Sequence, residues 1–78
     1  MFLDKGQTSS LNIDFGVGAP YTIKRVSGDT SEASIEGNKV KVTSFEYGDT
    51  FYKIYDKRGS ATSFQVETPQ KYETENVN

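Results

Sequence analysis

Apolar and polar residues alternate along most of this chain, and the period is two. Leu11, Ile13 and Phe15 fall on one parity, with Asn12 and Asp14 on the other, so Ser10 to Phe15 reads as a half-buried strand. A short edge segment precedes it around Phe2-Leu3. Gly16-Val17-Gly18-Ala19-Pro20 breaks the pattern as a turn. Tyr21 to Val26 resumes it with Tyr21 and Ile23 on one face. Arg25 shares their parity, so this strand is expected to bend or end there.

Ser27 to Glu32 reads as a loop. Asp29 and Glu32 have capping-box spacing, which predicts at most a single helical turn. Ala33 and Ile35 then mark a very short strand. Glu36-Gly37-Asn38-Lys39 is a hairpin turn, with Gly37 or Asn38 suited to positive φ, and Val40 and Val42 form the return. Ser44 to Asp49 is a connection that Phe45 is expected to anchor and Gly48 to close.

Thr50 to Tyr55 is the most strand-like run. Tyr52 and Ile54 share the core face; Phe51, Lys53 and Tyr55 share the other. Asp56 to Ser60 is a hairpin loop with Gly59 at its left-handed position, and Thr62 to Val66 follows with Phe64 and Val66 inward. Residues 1–67 therefore form one domain. Residues 68–78 are nearly free of apolar side chains and read as a disordered tail or inter-domain linker. Nowhere do apolar residues recur at i, i+3, i+4 and i+7 over two turns, so no real helix is expected. Short strands with regularly spaced turns predict an all-β antiparallel sandwich of six to seven strands.

Composition reinforces this picture. Ten residues are Val or Ile, eight are Thr and ten are Phe or Tyr, against two Leu and three Ala. That is the set suited to a pleated, half-buried surface rather than to helices. With 78 residues and no cysteine, the domain must hold together on a small core alone.

Charge and chemistry mostly exclude. Nine basic and eleven acidic residues leave a net charge of −2. The densest basic spot is Lys57-Arg58, far from the clustered face that nucleic-acid binding uses. No run approaches the ~20 apolar residues of a membrane span, and Met1 to Lys5 is too short and polar for a signal peptide. Histidine is absent, removing the commonest general base and, with cysteine, the usual transition-metal ligands. Asp14, Asp29, Glu32, Asp49 and Asp56 lie at strand ends and loops, where solvated acids are normal, and no calcium-loop pattern surrounds them. Gly16-Val17-Gly18 lacks the third glycine and the helix of a dinucleotide loop. No catalytic residue, metal ligand or cofactor is assigned. The aromatics remain: Phe51 and Tyr55 on the outward face, with Tyr47 in the loop before them, are the candidate contact residues for a protein partner, an adjacent domain or a glycan.

The stretch from Ser27 to Val66 resembles the bacterial immunoglobulin-like (Big) domains of surface and secreted proteins. The resemblance rests on Ala33 and Ile35, Gly37, Val40 and Val42, Phe45 with Gly48, Tyr52 with Ile54, Asp56 with Gly59, and Phe64 with Val66. Gly6 before the Leu11-x-Ile13 strand, and Tyr21-x-Ile23, fit more loosely. Tyr52 and Phe64 depart from the pattern, since smaller aliphatic residues are commoner there. The resemblance implies an immunoglobulin-like Greek-key sandwich. It also implies export to the periplasm, cell surface or medium, and a role as a spacer, adhesive or accessory module; with no catalytic residue assigned the role is read as non-enzymatic, and the exposed aromatics Phe51, Tyr55 and Tyr47 give the alternative of an accessory carbohydrate-binding module.

Overall fold

The computed structural model describes residues 1–70 and contains six strands with no helix among them. They are β1 (Thr8–Asn12), β2 (Thr22–Ser27), β3 (Ser31–Glu36), β4 (Lys39–Ser44), β5 (Gly48–Tyr55) and β6 (Ala61–Thr68). Two antiparallel three-stranded sheets result, ordered β1-β4-β3 and β2-β5-β6. The architecture is all-β and sandwich-like. The chain changes sheet between β1 and β2, β2 and β3, and β4 and β5; only β3-β4 and β5-β6 are hairpins within a sheet.

Each inner face follows from the alternation. On β4, Val40 and Val42 point inward between Lys39, Lys41 and Thr43 and are fully buried. Leu11 pairs with Val40 from one side and Ile35 from the other. On β5, Thr50, Tyr52 and Ile54 point inward, and Val66 and Phe64 of β6 sit opposite Thr50 and Tyr52. The Tyr52 and Phe64 rings stack with centroids 5.2 Å apart. Leu3, Ile13 and Tyr21 complete the core from the connecting segments. The strong alternation of Thr50 to Tyr55 thus gives the register that the sequence predicts.

Four local expectations need correction. First, the opening strand spans Thr8–Asn12 rather than Ser10–Phe15. β4 turns away at Asn38, whose carbonyl takes the Ile13 N–H, so no ladder partner remains beyond it. Ile13 stays buried off the ladder, and Phe15 stacks on Tyr21 at 5.8 Å. Second, no helical turn forms at Asp29–Glu32. The Thr30 carbonyl instead accepts the Phe45 and Glu46 N–H groups, and Ser31 and Glu32 are extended to pair with Ser44 and Thr43. Third, Phe45 does not anchor its connection and is 44% exposed. The buried residue is Ser44, whose hydroxyl bonds that of Thr68. Fourth, the last strand reaches past Val66 to Thr68, which is buried against Ser44, so Thr68 belongs to the sheet. Of the tail expected over 68–78, residues 71–78 lie outside the described residues.

The turns match more closely. In the β3-β4 hairpin Gly37 takes the positive φ (64°) and Asn38 does not, as a type II′ turn requires. Gly59 closes the β5-β6 loop at φ 89°. At Arg25 the register of β2 against β5 shifts, so Arg25 opposes Tyr52 and Ser27 opposes Phe51, with Val26 bulged between them. The bulge follows Arg25, which keeps the inward parity opposite the buried Tyr52. Arg25 stays exposed at the mouth of the gap between the edges of β2 and β3.

The N-terminal segment adds a seventh line of chain. Phe2 bridges Glu67 in parallel, through bonds from the Leu3 N–H to the Glu67 carbonyl and from the Glu67 N–H to the Met1 carbonyl. The Met1 amino group bonds the Gln65 carbonyl at 2.9 Å.

Candidate functional site

The two outward faces differ in kind. That of the β1-β4-β3 sheet presents Thr8, Ser10, Asn12, Lys39, Lys41, Thr43, Glu32, Ser34 and Glu36, all polar. The face of the β2-β5-β6 sheet carries Phe51 and Tyr55 on its central strand. Phe51 is 42% exposed and Tyr55 half-buried.

Phe51 is not alone. Val26 (54% exposed) shares the outward parity of Thr22 and Lys24, and Val26, Ser27, Phe51, Lys53 and Ser63 line an outward-facing dish of about 380 Å³. That size lies at the lower end of small-molecule sites. An aromatic ring flanked by hydroxyls and an ammonium can stack on one face of a sugar or receive a partner's apolar side chain. Val26 was not singled out from the sequence. Its signal was parity, since Val26 falls on the outward side of β2 with Thr22 and Lys24.

The three aromatics picked from the sequence do not form one platform. Along β5, Phe51 and Tyr55 are four residues apart, about 13 Å at strand rise. Tyr47 lies as many residues from Phe51, in the loop at the other end of the strand. Its ring is already occupied, with the Lys5 ammonium 5.0 Å from its centroid. The Tyr47 N–H donates to the Glu46 carboxylate at 2.9 Å, and Lys5 pairs with the same carboxylate at 3.6 Å. That backbone donor first, and the Lys5 charge second, hold the Glu46 carboxyl below its ordinary range. Phe51 is therefore the centre of the candidate site, Tyr55 its margin, and Tyr47 part of a separate loop cluster.

A second ordered cluster sits where the loops 13–21 and 56–60 meet. Asp56 was read as a solvated loop acid, but it is only 5% exposed. Its Oδ1 accepts the Arg58 and Ser60 N–H groups at 2.9 Å each, closing its own loop. Its Oδ2 accepts the Val17 N–H at 3.0 Å, tying that loop to the other. The Val17 N–H is the largest cause of a carboxyl held below its ordinary value, with the Ser60, Arg58 and Gly59 N–H groups acting the same way against some desolvation. A Cβ at Gly16 would lie 2.0 Å from Asp56 Oδ2, so glycine is required for this approach. All donors to the carboxylate are backbone groups of the fold, which makes Asp56 a structural clasp. An Asp followed by Gly three residues later signals the loop, but the partner at Val17 is fixed only in three dimensions.

Among the described residues no three acidic side chains converge as a metal cage, and no helix is long and apolar enough to cross a membrane. No family model, no curated protein and no solved structure matches this chain.

Proposed function

We propose that this chain is an immunoglobulin-like, non-enzymatic module of an exported bacterial protein, serving as an in-line spacer with a contact surface. The observation that carries this reading is the strand order. In immunoglobulin sandwiches, strands lettered in chain order group as A-B-E-D and C-F-G. With β1 to β6 taken as B to G, the two sheets here run B-E-D and C-F-G. Met1–Leu3 takes the place of the first strand, attached to the last strand of the other sheet. The resemblance to Big domains in the Ser27–Val66 stretch supports the same reading and is the basis for export.

One geometric feature supports the spacer role. Because Met1–Leu3 runs parallel to β6, chain leading into the first and chain leading out of the second depart from opposite ends. Modules joined this way line up end to end. The test is small-angle scattering on two copies joined through Thr68-Pro69-Gln70. An elongated particle about twice the length of one copy is expected; a compact side-by-side pair would sink the reading.

The carbohydrate-binding alternative draws on the Phe51 dish. Titration of soluble polysaccharides should then shift the backbone amides of Val26, Phe51 and Ser63, and Phe51→Ala should abolish the shifts. A flat response to every glycan leaves partner packing as the use of that surface.

A further inference from the structure

Charge is ordered along the outward face of the β2-β5-β6 sheet. Lys24 of β2 stands directly opposite Lys53 of β5. Two residues along β5 comes Phe51, with Val26 and Ser27 beside it. Two residues further, Asp49 stands directly opposite Glu67 of β6. Gly28 lies against the Asp49 backbone, which brings Asp29 to the same end. Lys24, Lys53, Asp29 and Asp49 are exposed and Glu67 is half-buried. Among the described residues none of these five is in an ion pair.

Like charges directly opposite each other on a sheet repel and cost the single chain stability. This face carries two such pairs, of opposite sign, with an aromatic ring between them. On the other outward face Glu36 stands opposite Lys39, so unlike charges meet within one chain. Asp49 and Lys53 lie equally far from Phe51 along β5, one on each side. Turned end over end about Phe51, the face presents the opposite charge at each place.

We infer that this face is a contact between two copies of the chain, related by a two-fold axis that crosses the strands at Phe51. Stacked sheets keep their strands within about 30° of one another. With one copy turned end over end, Lys53 of each meets the Asp49–Glu67 pair of the other, and Lys24 comes over the Asp29 end. Phe51 and Val26 meet their counterparts at the axis, each ring over the other copy's dish. An apolar centre with charges at the margin is how protein interfaces are built, and one contact made twice is what two-fold symmetry requires. Stacking in the same direction would set lysine on lysine. An anionic glycan would answer Lys24 and Lys53 but would be repelled by Asp49 and Glu67. Pairing along the outer edge of β6 leaves the flat of the sheet uncovered. Three strands about 4.8 Å apart, each contributing about seven residues at about 3.3 Å, make a face of roughly 300–400 Å² per copy, so the pair is weak. The inference rests on the reading of this face as the contact surface. It adds the partner, and modules held in line would sum such weak contacts.

The probe is the full chain itself, followed by sedimentation velocity and backbone amide shifts from micromolar to millimolar concentration at low salt, where charge contacts are least screened. Concentration-dependent shifts are expected at the amides of Val26, Asp49, Phe51 and Lys53, with the sedimenting mass rising toward two chains. Lys53→Glu sets acid on acid across the axis, and Asp49→Lys sets base on base. Each variant alone should associate at least roughly tenfold more weakly than the parent, because the like charges meet twice. Mixed in equal amounts, the two variants should pair again, since an all-acidic face then meets an all-basic one. Both positions are exposed, and an otherwise unchanged amide spectrum checks that each variant folds. The inference is overturned by any of three results. These are no concentration dependence up to millimolar chain, either variant associating as tightly as the parent, or a mixture that pairs no better than its components. Any of them leaves the spacer reading to be decided by its own scattering test on joined copies.

Discussion

The two ends of this sandwich are closed by different chemistry. At one, the Asp56 carboxylate gathers backbone N–H groups from two loops, with Gly16 brought close enough that no side chain fits. At the other, hydroxyls meet hydroxyls. Ser31 bonds Tyr52 at 2.9 Å and Ser44 bonds Thr68, each across the two sheets, and Thr30 of the loop before β3 bonds Thr50 at 2.6 Å. Ser31, Ser44, Thr50 and Thr68 are all buried. A charge can draw in several donors at once and depends on pH. A hydroxyl pair ties one segment to another and satisfies both partners where water is excluded. One end is thus a loop clasp and the other a set of pins between the sheets.

The comparison can be broken most decisively at its shared scaffold. Ile54→Ala truncates a side chain 4% exposed on the central strand and should cost about 2–5 kcal/mol in denaturant unfolding. In so small a domain that threatens the whole fold. A loss near zero would mean that Ile54 is not part of the core that both ends close.

Next in size is the clasp. Asp56→Ala should lower Tm more than removal of any single hydroxyl, because three part-buried backbone donors lose one shared, charged acceptor. Its pH dependence has a definite sign. The folded carboxyl titrates below its ordinary value of 3.8, so the folded chain binds that proton less readily than the unfolded one. The stabilisation is complete above the ordinary value and is lost as pH falls through it toward the lowered folded value. Acid unfolding followed by circular dichroism should therefore show a limb that Asp56→Asn flattens. An unchanged acid limb would remove the clasp from the comparison.

The pins come third. Ser31→Ala leaves the Tyr52 hydroxyl buried without a partner and should cost about 1–3 kcal/mol. Adding Tyr52→Phe should recover much of that loss, since removing both members of a buried pair is nearly neutral. If the double variant were worse than the sum of the singles, the pair would not be a simple pin. The smallest effect is expected from Lys53→Ala, on the outward face beside the Phe51 dish, within about 0.5 kcal/mol of the parent. Should Lys53 prove more sensitive than Ile54, the β5 register would be wrong by one residue.

The legible and illegible parts of this fold divide along physical lines. β5 could be read because Phe51, Tyr52, Lys53 and Ile54 alternate around a charge, and hydropathy reports a two-sided strand directly. The bulge was half legible, as a conflict at Arg25. The connection after β4 was misread because Phe45 is the more apolar residue there, whereas the buried place belongs to Ser44. A buried serine whose partner is Thr68, distant in sequence, leaves no trace in an apolar pattern. The same holds for Asp56, whose decisive donor is the N–H of Val17. Of the candidate site, Phe51 and Val26 both fall outward by parity, while Tyr47 depended on a lysine that claimed its ring. Alternation reveals which way a side chain faces and says nothing of whom it meets.

The parallel run of Met1–Leu3 along β6 has a mechanical consequence. Tension applied at the two ends of a chain threaded this way acts along the strands, while the bonds between them lie across it. The bonds among Met1, Leu3, Gln65 and Glu67 are then loaded together in shear instead of being unzipped one after another. A domain whose thermodynamic stability is modest can still resist stretching well, because the first event under load is the simultaneous rupture of that short ladder.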